Sequence, residues 1–145
     1  MQIIGNQIYH IYNQGNNKQK IFYKRENYHY FLSKFKKYVV PKAEVLAYCL
    51  MPNHFHFMVN TTKDSVQNEK VGSLMVNALS NGFRKLLSTY AQAINKQENR
   101  SGSLFRQKTK AKLVVSIHLL SLYPPKSVTC RTGSKNGRLG IFLVS

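Results

Sequence analysis

The sequence is poor in acidic residues, in cysteine and in long apolar runs, and each shortage excludes a class of protein. Two cysteines, Cys49 and Cys130, are too few for a disulfide framework or a cysteine-rich zinc site. Cys49 lies in an apolar run and is predicted to be a small core residue. No run of about 18 or more apolar residues is present, so we expect no membrane-spanning helix. Residues 1–5 do not resemble a secretory signal, and we expect a cytoplasmic protein.

The shortage of acidic residues leaves a large excess of positive charge. Twenty-two Lys and Arg residues face five Asp and Glu residues, which gives a formal net charge of +17. Such an excess destabilises a compact chain by self-repulsion unless a polyanion binds to it. Nucleic acid is therefore the predicted partner. An anionic membrane surface is a weaker alternative, because no single basic amphipathic helix dominates the sequence.

The hydrophobic pattern predicts one α+β domain. Alternating or continuous apolar residues indicate strands, and apolar residues at three- and four-residue steps indicate helices. The predicted elements are strands at 7–13, 43–51, 54–60 and 104–114, and helices at 26–40 and 71–97, with a loop at 61–70. Gly82 is expected to weaken the middle of the second helix.

This β-α-β-β-α-β order is typical of a ferredoxin-like split βαβ fold, with an antiparallel sheet covered by helices on one face. The other face of the sheet would be free to bind a ligand. Residues 1–115 form the predicted domain. Residues 116–145 contain no acidic residue and show no clear hydrophobic period, so we interpret them as an aberrant tail.

The segment 51–59, Met-Pro-Asn-His-Phe-His-Phe-Met-Val, contains the most informative motif. On a strand, residues i and i+2 point to the same side, roughly 7 Å apart. His54 and His56 are therefore predicted to project together while Phe55 and Phe57 face the core. Two imidazoles on a rigid strand can bind one divalent cation if a third ligand comes from elsewhere. Taken alone, a His-X-His pattern is better explained by two solvent-facing histidines on an amphipathic strand than by a metal site.

The residues around this pair resemble a known family. Pro-Asn-His-Phe-His at 52–56 is similar to the paired-histidine signature of the IS200-like (HUH) transposases, in particular their REP-associated tyrosine transposase branch. Residues 9–22 resemble the opening strand and loop of that family. Residues 100–106 and 110–114 resemble its fourth strand, with a Gly-x-Leu-Phe-basic pattern. The resemblance extends over residues 7–114.

The resemblance implies a transposase that cleaves and rejoins single-stranded DNA containing hairpins. His54, His56 and a third polar ligand would bind Mg²⁺ or Mn²⁺ and polarise the scissile phosphate. A tyrosine hydroxyl would attack the phosphate and form a 5′-phosphotyrosyl intermediate. The protein would act as a monomer or a homodimer.

The tyrosine motif of the family, Tyr-Ile-His-x-Asn-Pro, is missing. Residues 121–127 read Ser-Leu-Tyr-Pro-Pro-Lys-Ser instead, and two prolines prevent a helix at that tyrosine. Codons for this segment, shifted by one base, can spell His-Tyr-Ile-His-Gln-Asn-Pro. The same shift turns residues 138–145 into a sequence that resembles the C-terminal signature of the family. We therefore predict a frameshift between Leu113 and Ser121. In the original frame the nucleophilic tyrosine of the family would fall at the position of Leu122.

Other tyrosines are weaker candidates for the nucleophile. Tyr90 lies at three- and four-residue spacing from Leu86, Leu87 and Ile94, which favours a core position over a catalytic one. Tyr9 and Tyr12, on the first strand, are interpreted as packing or base-stacking groups.

Basic residues cluster near the second helix and the fourth strand and are candidates for phosphate contacts. They are Arg84, Lys85, Arg100, Arg106, Lys108, Lys110 and Lys112. Each one taken singly is better explained as a solvated surface charge, whereas the clustering of the set favours a DNA groove. Two other functions remain open: a non-catalytic nucleic-acid-binding module with an RRM-like sheet, and a structural basic protein.

Overall fold

The computed structural model describes residues 1–114. In chain order the elements are β1 (Ile8–Gln14), α1 (Arg25–Tyr38), β2 (Ala43–Met51), β3 (His54–Thr61), α2 (Lys63–Val66), β4 (Asn68–Val71), β5 (Leu74–Asn77), α3 (Ala78–Gln97) and β6 (Lys110–Leu113). Two short 3-10 helices, Asn16–Lys18 and Val40–Lys42, lie in the connections.

Four strands form an antiparallel sheet in the order β2-β3-β1-β6. The two central strands, β3 and β1, are therefore distant in sequence, and α1 and α3 connect the strands across one face. This arrangement is the predicted α+β fold with a split βαβ order, and the prediction is confirmed.

An aromatic core joins the two long helices to the sheet. Phe57 of β3 stacks on Phe35 of α1, with ring centroids 4.0 Å apart, and contacts Phe83 of α3 edge-on at 6.0 Å. Phe31 meets Tyr90 in a T-shaped pair at 4.9 Å. All five rings are 2% exposed or less. Because both helices pack on one side, the opposite face of the sheet is left without a helix among the described residues.

The predicted helix at 71–97 is wrong over its first turns. Residues 68–77 form the hairpin β4-β5, and α3 begins only at Ala78. Gly72 adopts a φ of +60°, which suits a tight turn and not a helix. Asn77 then caps α3, since its side-chain oxygen accepts a hydrogen bond from Ser80 N at 2.7 Å. Leu74 and Met75, at the start of β5, are more than 60% exposed, which no buried helix face would allow.

Two neighbouring predictions also need correction. The predicted loop at 61–70 contains the short helix α2 and the start of β4. The fourth strand is restricted to Lys110–Leu113, whereas Leu104 and Phe105 pack into the core ahead of it. The cause is a side-chain contact: Asn13 Nδ2 donates to Arg106 O at 3.2 Å and to Thr109 Oγ1 at 3.1 Å. These bonds take the place of a regular ladder over that stretch.

Gly82 is not a weak point in the middle of a helix. It lies in the second turn of α3 and is buried against the last turn of α1. A Cβ atom at this position would overlap the carbonyl oxygen of Tyr38. The glycine therefore allows the two helices to approach each other closely.

Within residues 1–114, no helix has the length and apolar character needed to cross a membrane.

Candidate metal and nucleic-acid site

The open face of the sheet, which we define as the side opposite α1 and α3, carries polar and aromatic rings. On β3 the buried and half-buried positions alternate, so that Phe55 and Phe57 face the helices and His54 and His56 face outward. On β1 the same alternation places His10 and Tyr12 outward. The predicted orientation of the histidine pair and of the two phenylalanines is therefore confirmed.

Each histidine of the pair uses one ring nitrogen in a hydrogen bond. His54 Nδ1 is 2.6 Å from Asn53 Oδ1, which can only accept, so Nδ1 carries the proton. His56 Nδ1 is 2.7 Å from His10 Nε2. The two imidazoles of the pair meet in a T-shaped arrangement with centroids 5.0 Å apart. With Nδ1 protonated, His54 presents Nε2 to a ligand, and His56 does the same in the tautomer in which its Nδ1 donates to His10 Nε2.

The site favours neutral imidazoles. Burial lowers the pKa of His56 to about 4, with further lowering from the positive charges that His10 and His54 would carry. Burial and the neighbouring Lys112 lower the pKa of His10, and burial lowers the pKa of His54. Neutral imidazole is the form that binds metal ions, so the histidines need lose no proton to do so near neutral pH.

His10 was not singled out in the sequence, although it lies within the block that resembles the transposase opening strand. The register of β1 and β3 places Tyr12 opposite His56, and His10 reaches His56 diagonally. The alternation of His10 and Tyr12 with the buried Ile11 indicates from sequence that both rings face outward. The contact of His10 with His56, more than forty residues away, has no signal in the sequence.

Tyr12 belongs to a cluster of three nearly parallel rings with His10 and His56, whose own centroids are 4.9 Å apart. Its ring stacks on His10 at 4.8 Å and on His56 at 5.7 Å between centroids, and Lys112 Nζ is 6.0 Å from the ring centroid. The ring is half-buried and lies on the open face. This geometry agrees with the interpretation of Tyr12 as a base-stacking group. Tyr9, in contrast, is a packing residue: its ring is buried, and its Oη accepts a hydrogen bond from Ile4 N at 3.0 Å.

A complete protein ligand set is not assembled in residues 1–114. Among these residues, no three His, Cys, Asp or Glu side chains come together in a group that could hold a metal ion. Cys49 lies opposite His56 in the β2-β3 register and is half-buried, so its predicted place as a core residue is wrong. Any third ligand must be of another residue type, come from outside this range, or be water or DNA.

Arg106 is a candidate phosphate contact that bonds to Gln14, the residue opposite His54. Its backbone N donates to Gln14 O at 3.0 Å, and its Nε and Nη2 donate to the side-chain oxygen of Gln14 at 2.8 and 2.7 Å. Gln14 lies directly opposite His54 in the sheet. The guanidinium group is thus held at the edge of the open face beside the histidines.

Lys110 and Lys112 extend the positive charge along the same face. They are exposed, and they pair in register with Tyr12 and His10 respectively. Residues directly opposite each other in an antiparallel sheet share a face, so both lysines lie on the side of the imidazoles.

The remaining predicted DNA contacts lie elsewhere. Arg84 and Lys85 are exposed on α3, which covers the other face of the sheet. Arg100, after α3, donates from Nη2 to Gln19 Oε1 at 3.0 Å, in the basic loop beyond β1. Lys108 is exposed in the segment before β6. The predicted cations therefore do not form one groove on one face.

Tyr90 is unsuitable as a nucleophile. Its side chain is fully buried, its hydroxyl donates to Ile21 O at 2.7 Å, and burial raises its pKa. The core interpretation of its spacing agrees with this position. The predicted nucleophile position at Leu122, Cys130 and the tail at 116–145 lie outside the described residues.

Comparison with known proteins gives structural matches only. No family model matches the chain, and no curated protein matches it. One similar solved structure is a REP-associated tyrosine transposase bound to a REP hairpin, with a TM-score of 0.56 and 10% sequence identity over 84% of this chain and 64% of that one. Another is a candidate transposase from Deinococcus radiodurans R1, with a TM-score of 0.54 and 16% identity over 84% of this chain and 88% of that one. The chain therefore spans slightly less than two thirds of the first of these proteins, and it shares the α+β fold of both.

Proposed function

We propose that this chain is a DNA transposase of the IS200-like kind that binds single-stranded hairpin DNA on the open face and a divalent metal ion at His54 and His56. The observation that carries the proposal is the pair of histidines on the open face, each held by a hydrogen bond at Nδ1. The fold that presents them is shared with a hairpin-bound transposase. The basic residues at the edge of this face supply the attraction for phosphate.

The donor set fits a divalent cation in part. Asn53 anchors Nδ1 of His54 and His10 anchors Nδ1 of His56, which is the outer-shell arrangement that normally orients metal-binding imidazoles. Nε2 of each ring would bind Mg²⁺ or Mn²⁺. When bound, the cation would polarise the scissile phosphate and stabilise its developing charge.

Strand cleavage additionally needs a nucleophile. In the proposed reaction a tyrosine oxygen forms a bond to phosphorus, the bond from phosphorus to the 3′ oxygen breaks, and that oxygen leaves as a 3′-hydroxyl after taking up a proton. Because the corresponding position in this chain is Leu122, we expect the chain as printed to bind DNA and metal but not to cleave.

The first test measures binding of metal and DNA by the full chain. We expect the Mn²⁺ affinity, measured by calorimetry, to fall in His54→Ala and His56→Ala by more than the roughly 10- to 100-fold that loss of an outer-shell partner costs. His29→Ala is the matched control, because His29 is exposed on α1, away from the open face. Equal Mn²⁺ affinity in all three variants would overturn the metal site.

The second test concerns catalysis. A labelled single-stranded hairpin is incubated with Mn²⁺ and either the chain as printed or a chain in which the reading frame is restored after Leu113. We expect covalent protein–DNA product only with the restored chain. If both chains bind the hairpin and neither forms the covalent product, the cleavage proposal is overturned and only DNA binding is supported.

A non-catalytic nucleic-acid-binding module is the second candidate. The stacked Tyr12 beside Lys112 favours it, since aromatic rings on an open sheet commonly stack on bases. In that case hairpin affinity would be unchanged by EDTA and by His54→Ala, and no metal site would be found.

A further inference from the structure

A groove lies between α3 and the segment 102–109, on the side of the protein away from the histidine pair. Its volume is about 620 Å³, which is within the range of roughly 300 to 1,000 Å³ typical of ligand pockets. We call it the α3 groove. Its apolar lining comes from Phe83, Leu87, Ala91, Leu104 and Phe105.

The α3 groove is positively charged at its edges. Arg84, Arg106 and Lys108 line it, and no acidic residue within 1–114 does. Arg84 is held in place, because its Nε donates to Asn81 Oδ1 at 3.0 Å. An apolar lining with a cationic rim suits a ligand that combines a flat apolar group with a negative charge.

A nucleotide with an unpaired base is the ligand that combines these properties with the charge of the whole protein. The base would lie against carbon atoms of the groove and the phosphate against the cationic rim. An acidic peptide would also supply negative charge, but a DNA strand bound at the open face already brings bases and phosphates to the edge of the groove at Arg106. A second copy of the chain is disfavoured, because two molecules of formal charge +17 repel each other.

Arg106 connects the α3 groove to the open face. It lines the groove, and its guanidinium group is also bonded to Gln14, opposite His54. One DNA strand could therefore contact the histidine site and then cross the sheet edge at Arg106 to reach the groove.

We propose that the α3 groove binds one unpaired nucleotide of the DNA strand, with its base against Leu87 and Ala91 and its phosphate at Arg84 and Lys108. The inference rests on the proposed function and adds a second contact, for an unpaired base, on the opposite side of the protein. Duplex DNA cannot place a base there without unpairing it, so the groove would favour single strands.

The first experiment fills the groove. Ala91→Phe places a ring in it, whereas Ala93→Phe, two residues away on α3 and outside the lining, is the matched control. Full-length protein is titrated into single-stranded oligonucleotides that contain 2-aminopurine. We expect Ala91→Phe to weaken binding about tenfold and to abolish the fluorescence change of the protected base, with little effect of Ala93→Phe.

The second experiment uses two adjacent cations and does not depend on how Ala91→Phe folds. Arg84→Ala and Lys85→Ala remove the same charge from the exposed surface of α3, but only Arg84 lines the groove. We expect Arg84→Ala to weaken single-strand binding more than Lys85→Ala, and an abasic oligonucleotide to reduce the difference between wild type and Ala91→Phe.

The outcomes separate this inference from the function on which it rests. If the wild-type chain binds DNA, and if each groove variant binds it as tightly as its matched control, the groove proposal is overturned and the proposed function is not. Loss of Mn²⁺ binding in His54→Ala with the groove effects retained would support both sites independently. Absence of any single-strand binding by the wild-type chain would overturn both.

Discussion

The two faces of strand β3 differ in burial and in the chemistry of their side chains. Phe55 and Phe57, on the side of the helices, are fully buried in a continuous aromatic core. His54 and His56, one residue away in each case, are half-buried on the open face and have lowered pKa values. One face is occupied by residues that stabilise the fold through apolar burial. The other holds imidazoles whose charged forms are disfavoured by burial.

The largest expected effect comes from a truncation on the buried side. Phe57→Ala should lower the free energy of unfolding by about 3–5 kcal/mol, because it removes a fully buried ring that packs on Phe35. His56→Ala, on the open side of the same strand, should cost far less stability. Chemical denaturation of the two variants measures the difference. Equal losses would contradict the assignment of different roles to the two faces.

A smaller loss is expected where the helices meet above the buried side. Gly82→Ala should destabilise the protein by about 1–3 kcal/mol, because the new methyl group would displace the Tyr38 carbonyl at the end of α1. Intrinsic helix propensity alone would instead favour alanine by about 1 kcal/mol. A lower melting temperature of Gly82→Ala would show that the clash with Tyr38 outweighs helix propensity, and a higher one would show the reverse. Ser88→Ala, exposed on the same helix, is the control.

On the open side, the stacking ring should affect binding rather than folding. Tyr12→Ala should weaken single-strand DNA binding by about 1–3 kcal/mol, because it removes a stacking surface beside His10 and His56. Tyr12→Phe keeps the ring and should retain affinity. Fluorescence anisotropy with a labelled oligonucleotide gives both values. If the phenylalanine variant were as weak as the alanine variant, the hydroxyl group and not stacking would be responsible.

The smallest effect is a pH dependence that belongs to the open side. The pKa of His56 is about 4 in the folded protein, below the ordinary value of 6.5, so the folded state binds fewer protons than the unfolded state between these values. Stability attributable to His56 is therefore fully present above pH 6.5 and is lost as the pH falls toward 4. The lowered pKa values of His10 and His54 act in the same direction.

Thermal denaturation in EDTA between pH 7.5 and 4 measures this effect without bound metal. We expect a decrease in melting temperature that is shallower in His56→Gln than in the wild-type protein. Identical profiles would show that another group causes the decrease.

Local sequence patterns were enough to predict much of this protein. The alternation of His and Phe at 54–57 predicted which side of β3 is buried, and the apolar spacing around Phe31 and Phe35 predicted α1. These predictions held because a two-residue or 3.6-residue period depends only on backbone geometry and on which side faces the core. The excess of positive charge likewise indicated a polyanionic partner without any structure.

Other features depended on contacts between residues far apart in the chain. His10 joins His56, Gln14 orients Arg106, and Gly82 allows α3 to approach Tyr38 only because the tertiary structure brings these pairs together. Residues 71–77 of the hairpin were wrongly predicted as helix, because apolar residues in a short segment fit both periods. The turn at Gly72 and the cap at Asn77 determine the actual structure. A one-dimensional pattern specifies the side on which a residue lies, whereas its partner is selected by strand register and helix packing, which are settled only when the whole chain folds.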